Sequence, residues 1–226
     1  MLIACWSPKG GSGTTVAAAL LALVLGRASS REAVLADLSG DLPAVLGLPE
    51  PAGPGLGDWL VASGDVGPDA LGRLEVEAGR LLRLLPLGTP VTGAGCAARA
   101  EALASHFVLD SRLVVADCGS AERSPGLELA CGATLSLVVV RPCYLALRRV
   151  LAAPVRPTGV VLVDEPERAL RKRDVEDVLG VPVWAELPRD AAVARAVDAG
   201  LLTVRVPRVA ERALERVALR PVGAVR

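Results

Sequence analysis

Residues 9–15, with the sequence KGGSGTT, form a glycine-rich segment between a short apolar run and a helical pattern. The run Leu2 to Trp6 predicts a buried strand, and the spacing of apolar residues after Thr14 predicts a helix. Glycines let backbone N–H groups turn inward, and the start of a helix adds partial positive charge, so such a loop suits a phosphate group. The segment therefore predicts an anion-binding loop after the first strand of an α/β fold. A strand-to-helix turn with no ligand is the alternative.

Short apolar runs alternate with longer helical patterns along the chain. This alternation predicts an α/β fold with a three-layer, doubly wound and mostly parallel sheet. We expect strands at Leu2–Trp6, Ala33–Asp37, Leu81–Pro86, Leu113–Asp117, Leu135–Val140, Gly159–Val163 and Val183–Glu186. We expect helices at Thr14–Arg27, Ala97–Phe107, Leu145–Ala152, Lys172–Leu179, Ala191–Ala199 and Val209–Val217.

The length of 226 residues predicts a single domain, 1–226, with a substantial core. Residues 49–68 are rich in glycine and proline, which indicates an insertion over the ligand-bearing edge, with a short helix at Leu56–Ala62. A C-terminal helix is expected near residues 207–219.

The composition limits the classes of partner and compartment. The 25 basic and 25 acidic side chains give no net charge, which argues against a dedicated nucleic-acid binder. The longest uninterrupted apolar run, Val16 to Leu25, is half of the roughly 20 residues that a membrane-spanning helix needs. This run loosely mimics a signal peptide, but a glycine cluster stands where a charged leader region belongs. The 5 cysteines form no CxxC pair, which indicates reduced thiols and a cytoplasmic protein.

The glycine-rich loop resembles that of the MinD/ParA family of deviant Walker-A P-loop ATPases, which reads KGGxGK[ST]. The resemblance implies a nucleotide-dependent homodimer in which Lys9 reaches the nucleotide phosphates of the opposite protomer. It also implies Mg²⁺ and ATP or ADP as ligands, with the hydroxyl of Thr15 on the metal ion. The nucleotide-binding residues of the loop are then Gly10, Gly11, Ser12, Gly13, Thr14 and Thr15.

One loop position departs from the family pattern, because Thr14 stands where these proteins carry the ordinary Walker lysine. The loop contains no arginine that could replace it. A charged hydrogen bond is worth about 1.5–3 kcal/mol, so its loss predicts nucleotide binding weaker by about tenfold to a hundredfold. The GGxGTT form resembles the loop of some TadZ/CpaE-like proteins, which localise pilus and secretion machinery. This likeness implies a positioning role.

The segment after the second predicted strand resembles the first switch of the family, which usually reads DxD. Asp37 matches the first acid, whereas Ser39 replaces the second, the one that positions or activates the attacking water. A hydroxyl is a poor general base near pH 7. Asp41 either replaces the missing acid or caps the short helix Leu42–Leu46.

Three further acids complete the expected site. Asp117 ends an apolar strand as the Walker-B acid does, which implies a Mg²⁺ ligand; a cap for the following turn is the alternative. Pro188 and Asp190 resemble the segment that borders the nucleotide base. Asp164 replaces the usual asparagine after the preceding strand. An aspartate accepts from an adenine amino group but does not donate to the ring, so base selectivity stays open.

Together these features predict a MinD/ParA-like molecular switch that binds ATP or ADP weakly and hydrolyses slowly or not at all. We expect it to position a protein partner such as pilus, secretion or division machinery. A pseudo-ATPase scaffold that binds no nucleotide and acts only through protein contacts is the alternative. A third possibility, an active DNA-loading ATPase, is disfavoured by the absence of net charge.

Two basic segments have more than one interpretation. Residues 206–217 are amphipathic at helical spacing and lack the Phe and Trp that favour a membrane interface, so we expect them to pack on the sheet rather than contact a membrane. Arg141, Arg148 and Arg149 follow a predicted strand and form either a small basic patch or, as we expect, a solvated helix face.

Overall fold

The computed structural model describes residues 1–63, 66–91 and 94–218. Within these residues eight strands lie at β1 (Leu2–Trp6), β2 (Ala33–Asp37), β3 (Val76–Gly79), β4 (Leu82–Leu85), β5 (Leu113–Asp117), β6 (Leu135–Val140), β7 (Gly159–Asp164) and β8 (Val183–Pro188). They form one sheet in the order β3-β4-β2-β5-β1-β6-β7-β8. Every neighbouring pair is parallel except β3 and β4.

Helices connect the strands. They lie at α1 (Thr14–Ser29), α2 (Leu42–Leu46), α3 (Leu56–Val61), α4 (Ala97–Leu109), α5 (Gly126–Gly132), α6 (Tyr144–Ala152), α7 (Lys172–Leu179), α8 (Ala191–Asp198) and α9 (Arg208–Ala218). Short 3-10 helices lie at Pro68–Arg73 and Ala94–Cys96.

The sheet is buried on both faces. Along β1, Ile3 and Cys5 pack with α1 and α9, whereas Leu2, Ala4 and Trp6 pack on the opposite face with α4 and α6. Successive strand side chains point to opposite faces, so this run of five apolar residues requires a helical layer on each side. The three-layer, doubly wound and mostly parallel fold predicted from the sequence is confirmed.

The central helix α1 has no clear amphipathic pattern because other elements cover it on several sides. Its residues from Ala17 to Gly26 are all buried, because β5 covers one side and α2 and α9 cover others. A helix enclosed in this way is apolar all round. Its start is therefore fixed within the molecule at the carboxyl end of β1.

Two elements were missing from the sequence prediction. The antiparallel edge strand β3 is 4 residues long and its pairing with β4 is irregular between Glu77 and Gly79, so it carries too little alternation to be recognised. Helix α5 has only 7 residues. The strand predicted at Leu81–Pro86 is β4, shorter by one residue at each end.

The structure describes most of the insertion at residues 49–68 and of the C-terminal helix expected near residues 207–219. The insertion contains α3, whose Trp59 is buried beneath the guanidinium of Arg99, 4.1 Å from the ring centroid; residues 64 and 65 lie outside the described part. The C-terminal helix is α9, and residue 219 of its predicted extent lies outside the described residues. Its buried Ala210 and Leu214 belong to the core shared with α1, and the helix packs on α1 and β8. Within residues 1–63, 66–91 and 94–218, no helix is long and apolar enough to cross a bilayer.

Candidate functional site

The glycine-rich loop leaves β1 between its neighbours β5 and β6, where the strand order changes direction. Crevices at such points, outside the carboxyl ends of the strands, are the usual ligand sites of doubly wound sheets. Gly11 (φ 74°) and Gly13 (φ 89°) adopt the left-handed conformation that side-chain-bearing residues rarely take. Gly13 is the N-cap of α1 and has no side chain to cap it, so the first amides of the helix stay available to a ligand.

Serine side chains fix the loop from within. The hydroxyls of Ser7 and Ser12 both donate to the backbone carbonyl of Lys9, at 2.8 and 3.1 Å. The N–H of Ser7 donates to the carbonyl of Gly119 at 2.9 Å, which links the loop to the segment after β5. The loop is therefore held at both of its ends before any ligand is bound.

A cavity of about 710 Å³, here called the loop cavity, opens in front of this loop. The loop residues that line it include Gly10, Gly11, Gly13, Thr14 and Thr15. The opposite wall includes Ser39, Asp41, Gly119 and Ser120. The cavity thus places the glycine-rich loop, the candidate first switch after β2 and the segment after β5 around one space.

Asp117 and Asp37 end the adjacent strands β5 and β2 and are paired in the sheet register. Asp117 is fully buried and accepts from the hydroxyl of Ser39 at 2.6 Å and from the N–H of Gly119 at 3.1 Å, and the hydroxyl of Thr15 lies close enough to lower its pKa. Burial raises the pKa of the Asp117 carboxyl, and these hydrogen bonds oppose the rise. The structure therefore brings together the two oxygen groups, Thr15 and Asp117, that the sequence pointed to as metal ligands.

Asp37 organises the turn before α2. Its carboxylate is fully buried and accepts backbone N–H groups from Ser39 at 3.0 Å, Gly40 at 2.7 Å and Leu42 at 3.1 Å. Burial raises the pKa of Asp37, and the bonds to Gly40, Ser39 and Leu42 lower it. Asp41 occupies the N-cap position of α2, but its side chain is exposed and makes no capping bond there. Asp37 thus supplies the capping interaction, and Asp41 faces the loop cavity.

Lys9 and Thr14, which stand at the two lysine positions of the KGGxGK[ST] pattern, differ in their surroundings. Lys9 is half-buried, and its ammonium makes no ion pair or hydrogen bond with any other described residue. Thr14 is buried at the first position of α1 and lines the loop cavity. The charge of Lys9 is therefore free to meet a partner, whereas the position of Thr14 offers only a hydroxyl.

A second cavity of about 290 Å³, here called the side cavity, adjoins the loop cavity at Gly13. Val163, Leu187 and Pro188 give it an apolar lining. Asp190 also lines it and caps α8, because its carboxylate accepts the N–H of Ala192 at 2.6 Å. Asp164 ends β7 opposite Pro188, and its carbonyl accepts the N–H of Arg189 at 3.1 Å. The sheet thus brings Asp164, Pro188 and Asp190 together at one edge.

Sequence reasoning missed the contact that Arg141 makes with the loop. This residue follows β6, the neighbour of β1, and its Nη2 donates to the carbonyl of Gly11 at 2.6 Å. Its Nη1 lies 3.3 Å from Oε1 of the buried Glu165. Arg148 and Arg149 are exposed on α6, as the helix-face interpretation predicted. The available signal was that Arg141 stands at the carboxyl end of a strand predicted to lie within the sheet.

Comparison with known proteins gives structural relatives only. No protein-family model matches the sequence, and no curated protein matches it significantly. A ParA family ATPase from Chlorobium tepidum superposes with a TM-score of 0.74 at 19% identity, covering 97% of this chain and 99% of that one. The septum site-determining protein MinD of Pyrococcus horikoshii, complexed with Mg-ADP, gives 0.76 at 18% identity over 96% and 93%. An ATP complex of Cyanothece McdA gives 0.69 at 18% identity over 96% and 95%.

Proposed function

Because the chain has the fold of MinD- and ParA-type ATPases, we propose that it is a nucleotide-dependent molecular switch. It binds ATP or ADP weakly with Mg²⁺, hydrolyses ATP slowly or not at all, and positions a protein partner through a nucleotide-dependent homodimer. The observation that carries this proposal is the loop after β1, whose left-handed Gly11 and Gly13 open a set of backbone amides toward the loop cavity.

Three groups of residues around the cavities hold the phosphates, the Mg²⁺ ion and the base. The amides of residues 10–15 hold the phosphates at the start of α1. Thr15 and Asp117 hold Mg²⁺, since hydroxyl and carboxylate oxygens are the ligands that this ion prefers and it keeps phosphate and water oxygens as well. When bound, Mg²⁺ neutralises phosphate charge. The base lies at the side cavity, bordered by Pro188, Asp190 and Asp164.

Slow hydrolysis follows from the two neutral side chains. Thr14 leaves the transferring phosphoryl group without the ordinary lysine charge. The hydroxyl of Ser39 donates to Asp117 at 2.6 Å and is a poor general base, so it does not take a proton from the attacking water. Asp41, exposed at the rim of the loop cavity, is the remaining carboxylate for orienting a water molecule.

A pseudo-ATPase scaffold remains a second candidate because of one specific observation. Ser39 and Gly119 satisfy the carboxylate of Asp117 through hydrogen bonds without any ion. A chain that had lost its ligands would preserve its fold in this way. In that case the loop is only a structural turn.

Titration with Mg-ATP and Mg-ADP, followed by calorimetry and by light scattering, separates the two candidates. The switch predicts saturable heat with both nucleotides, together with a doubling of mass with Mg-ATP. Gly13→Val is a loop-disrupting variant because Gly13 is left-handed at φ 89°. Gly10→Ala is its matched control, since an added Cβ there meets nothing within 4 Å. Absence of heat and of thermal stabilisation at millimolar nucleotide contradicts the switch and supports the scaffold.

A further inference from the structure

We propose that Arg141 is a positioning residue that compensates in part, from outside the loop, for the missing loop lysine. It holds the carbonyl of Gly11 and places a fixed positive charge beside the phosphate-binding amides. This inference rests on the proposed nucleotide binding and deepens it. Arg141 lies 130 positions along the chain from Gly11, so the sequence of the loop alone does not indicate this contact.

Arg141 contacts the backbone of the loop directly. Nη2 of Arg141 donates to the carbonyl oxygen of Gly11 at 2.6 Å, a short bond for a charged donor. Gly11 is left-handed at φ 74° and has no side chain to restrict its peptide. A loop amide faces a phosphate only while the neighbouring carbonyls point away from it. By holding one such carbonyl, Arg141 reduces the ordering that phosphate binding otherwise requires.

The side chain of Arg141 is held in place by its surroundings. Arg141 follows the fully buried Val140 of β6 and precedes the buried Pro142. Its Nη1 lies 3.3 Å from Glu165, whose side chain is only 5% exposed. A guanidinium held at two points loses less conformational freedom on binding than a mobile lysine at the surface.

Positive charge clusters around one buried carboxylate. Glu165 pairs with three guanidinium groups, those of Arg141, Arg168 and Arg189, at 3.3, 2.7 and 3.3 Å. Asp190 and Asp198 line the side cavity and balance part of this charge. Among these three guanidinium groups, the hydrogen bonds of the described residues connect that of Arg141 to the loop, so its charge is the one that acts there.

One donor of Arg141 is unused. Its Nε is buried and has no hydrogen-bond acceptor among the described residues. A buried donor without a partner is costly. The side cavity that Arg141 lines adjoins the loop cavity at Gly13, so the phosphate group bound nearest to Gly13 is the part of the nucleotide that offers this donor an acceptor.

The test compares three substitutions of Arg141 by calorimetry with Mg-ADP at two salt concentrations. Arg141→Ala and Arg141→Gln are both expected to weaken Mg-ADP binding by about fivefold to thirtyfold, because both remove the positive charge. Glutamine keeps a hydrogen-bond donor, so a loss with both variants assigns the effect to the charge. Arg141→Lys retains the charge and is expected to stay within about threefold of the unmodified protein. Arg168→Ala is the matched control, since Arg168 shares Glu165 at 2.7 Å and has no hydrogen bond to the loop among those of the described residues. Its expected effect is under about twofold.

A double substitution separates positioning from a general loss of structure. In a Thr14→Lys background the loop has its own charge. There the fold-loss of Mg-ADP affinity caused by Arg141→Ala is expected to be less than half of the fold-loss that the same substitution causes in the unmodified protein. Equal costs in both backgrounds overturn the inference. So does Mg-ADP binding by Arg141→Ala within about twofold of the unmodified protein, an outcome that leaves the proposed function standing. Failure of the unmodified protein to bind any nucleotide overturns the proposed function itself, and this inference with it.

Discussion

Ser39 connects the two buried carboxylates of the candidate site. Its hydroxyl lies 2.6 Å from Oδ2 of Asp117 and 3.3 Å from Oδ1 of Asp37, and its N–H donates to the same Asp37 oxygen. Two carboxylates at adjacent strand ends repel one another, and burial strengthens that repulsion. The serine therefore stabilises the site without a ligand. The DxD pattern has an acid at this position, which would add a third carboxylate beside Asp37 and Asp117.

Restoring the two family charges tests this interpretation. Thr14→Lys is expected to strengthen Mg-ADP binding by about tenfold to a hundredfold through a charged hydrogen bond to the phosphates. Hydrolysis of Mg-ATP is expected to stay slow until Ser39→Asp is added, because only the double variant combines the phosphate-binding charge with a water-orienting acid. Calorimetry and phosphate release measure the two effects. Rapid hydrolysis by Thr14→Lys alone contradicts the role given to Ser39.

The end of α2 and the end of α8 approach each other at two glycines. Gly47 is left-handed at φ 71°, and a Cβ there would lie 2.2 Å from the carbonyl oxygen of Gly200. Backbone atoms cannot move away as a flexible side chain does. This approach joins the candidate first switch to the segment that borders the side cavity.

Gly47→Ala is expected to lower the free energy of unfolding by about 2–4 kcal/mol, combining backbone strain with a steric clash. Gly180→Ala is the matched control. Gly180 is also left-handed, at φ 68°, but an added Cβ there meets nothing within 4 Å. The control is expected to cost about 1 kcal/mol from strain alone. Denaturant unfolding measures both variants, and equal costs contradict a close approach.

Glu165 joins the ends of three neighbouring strands, because Arg141 follows β6, Glu165 follows β7 and Arg189 follows β8. The hydrogen bond from Arg168 holds the pKa of the Glu165 carboxyl below its ordinary value, and the charges of Arg141 and Arg189 contribute. A depressed folded-state pKa means that the stabilisation is present above the ordinary glutamate pKa and is lost as the pH falls through the folded value.

Glu165→Gln is therefore expected to be less stable than the unmodified protein at pH 7 by about 1–3 kcal/mol. The difference is expected to shrink as the pH falls below the ordinary glutamate pKa and through the lower pKa of the folded carboxyl, where the unmodified side chain also becomes neutral. Urea unfolding at several pH values measures it. A difference that stays constant from neutral to acid pH would show that charge pairing is not what stabilises this cluster.

At the scale of the whole molecule, the sequence predicted best what is local and periodic. The loop after β1 and the acids Asp37 and Asp117 were recognisable because each follows a continuous apolar run that requires a buried strand. The edge strand β3 was not recognisable, because 4 residues of irregular pairing carry no clear alternation. The contact from Arg141 to Gly11 was not recognisable either, because it depends on which strands become neighbours in the sheet.

The homodimer proposed above would give Lys9 a role in binding nucleotide. Its ammonium has no partner among the described residues, which agrees with a charge kept for the phosphates of an opposite protomer. Lys9→Ala is expected to abolish the doubling of mass with Mg-ATP and to leave Mg-ADP affinity within about threefold, because the missing contact belongs to the dimer. Light scattering with and without nucleotide measures this. Unchanged ATP-dependent dimerisation of the variant contradicts an intermolecular role for Lys9.

The account as a whole requires that the backbone amides of residues 10–15 bind a polyphosphate although Thr14 replaces the lysine. A crystal structure grown with excess Mg-ADP tests this most directly. We expect a phosphate group within hydrogen-bonding distance of the amides around Gly13, with the metal ion beside Thr15 and Asp117. A loop that is empty under those conditions, or that has closed over the loop cavity, would contradict the account.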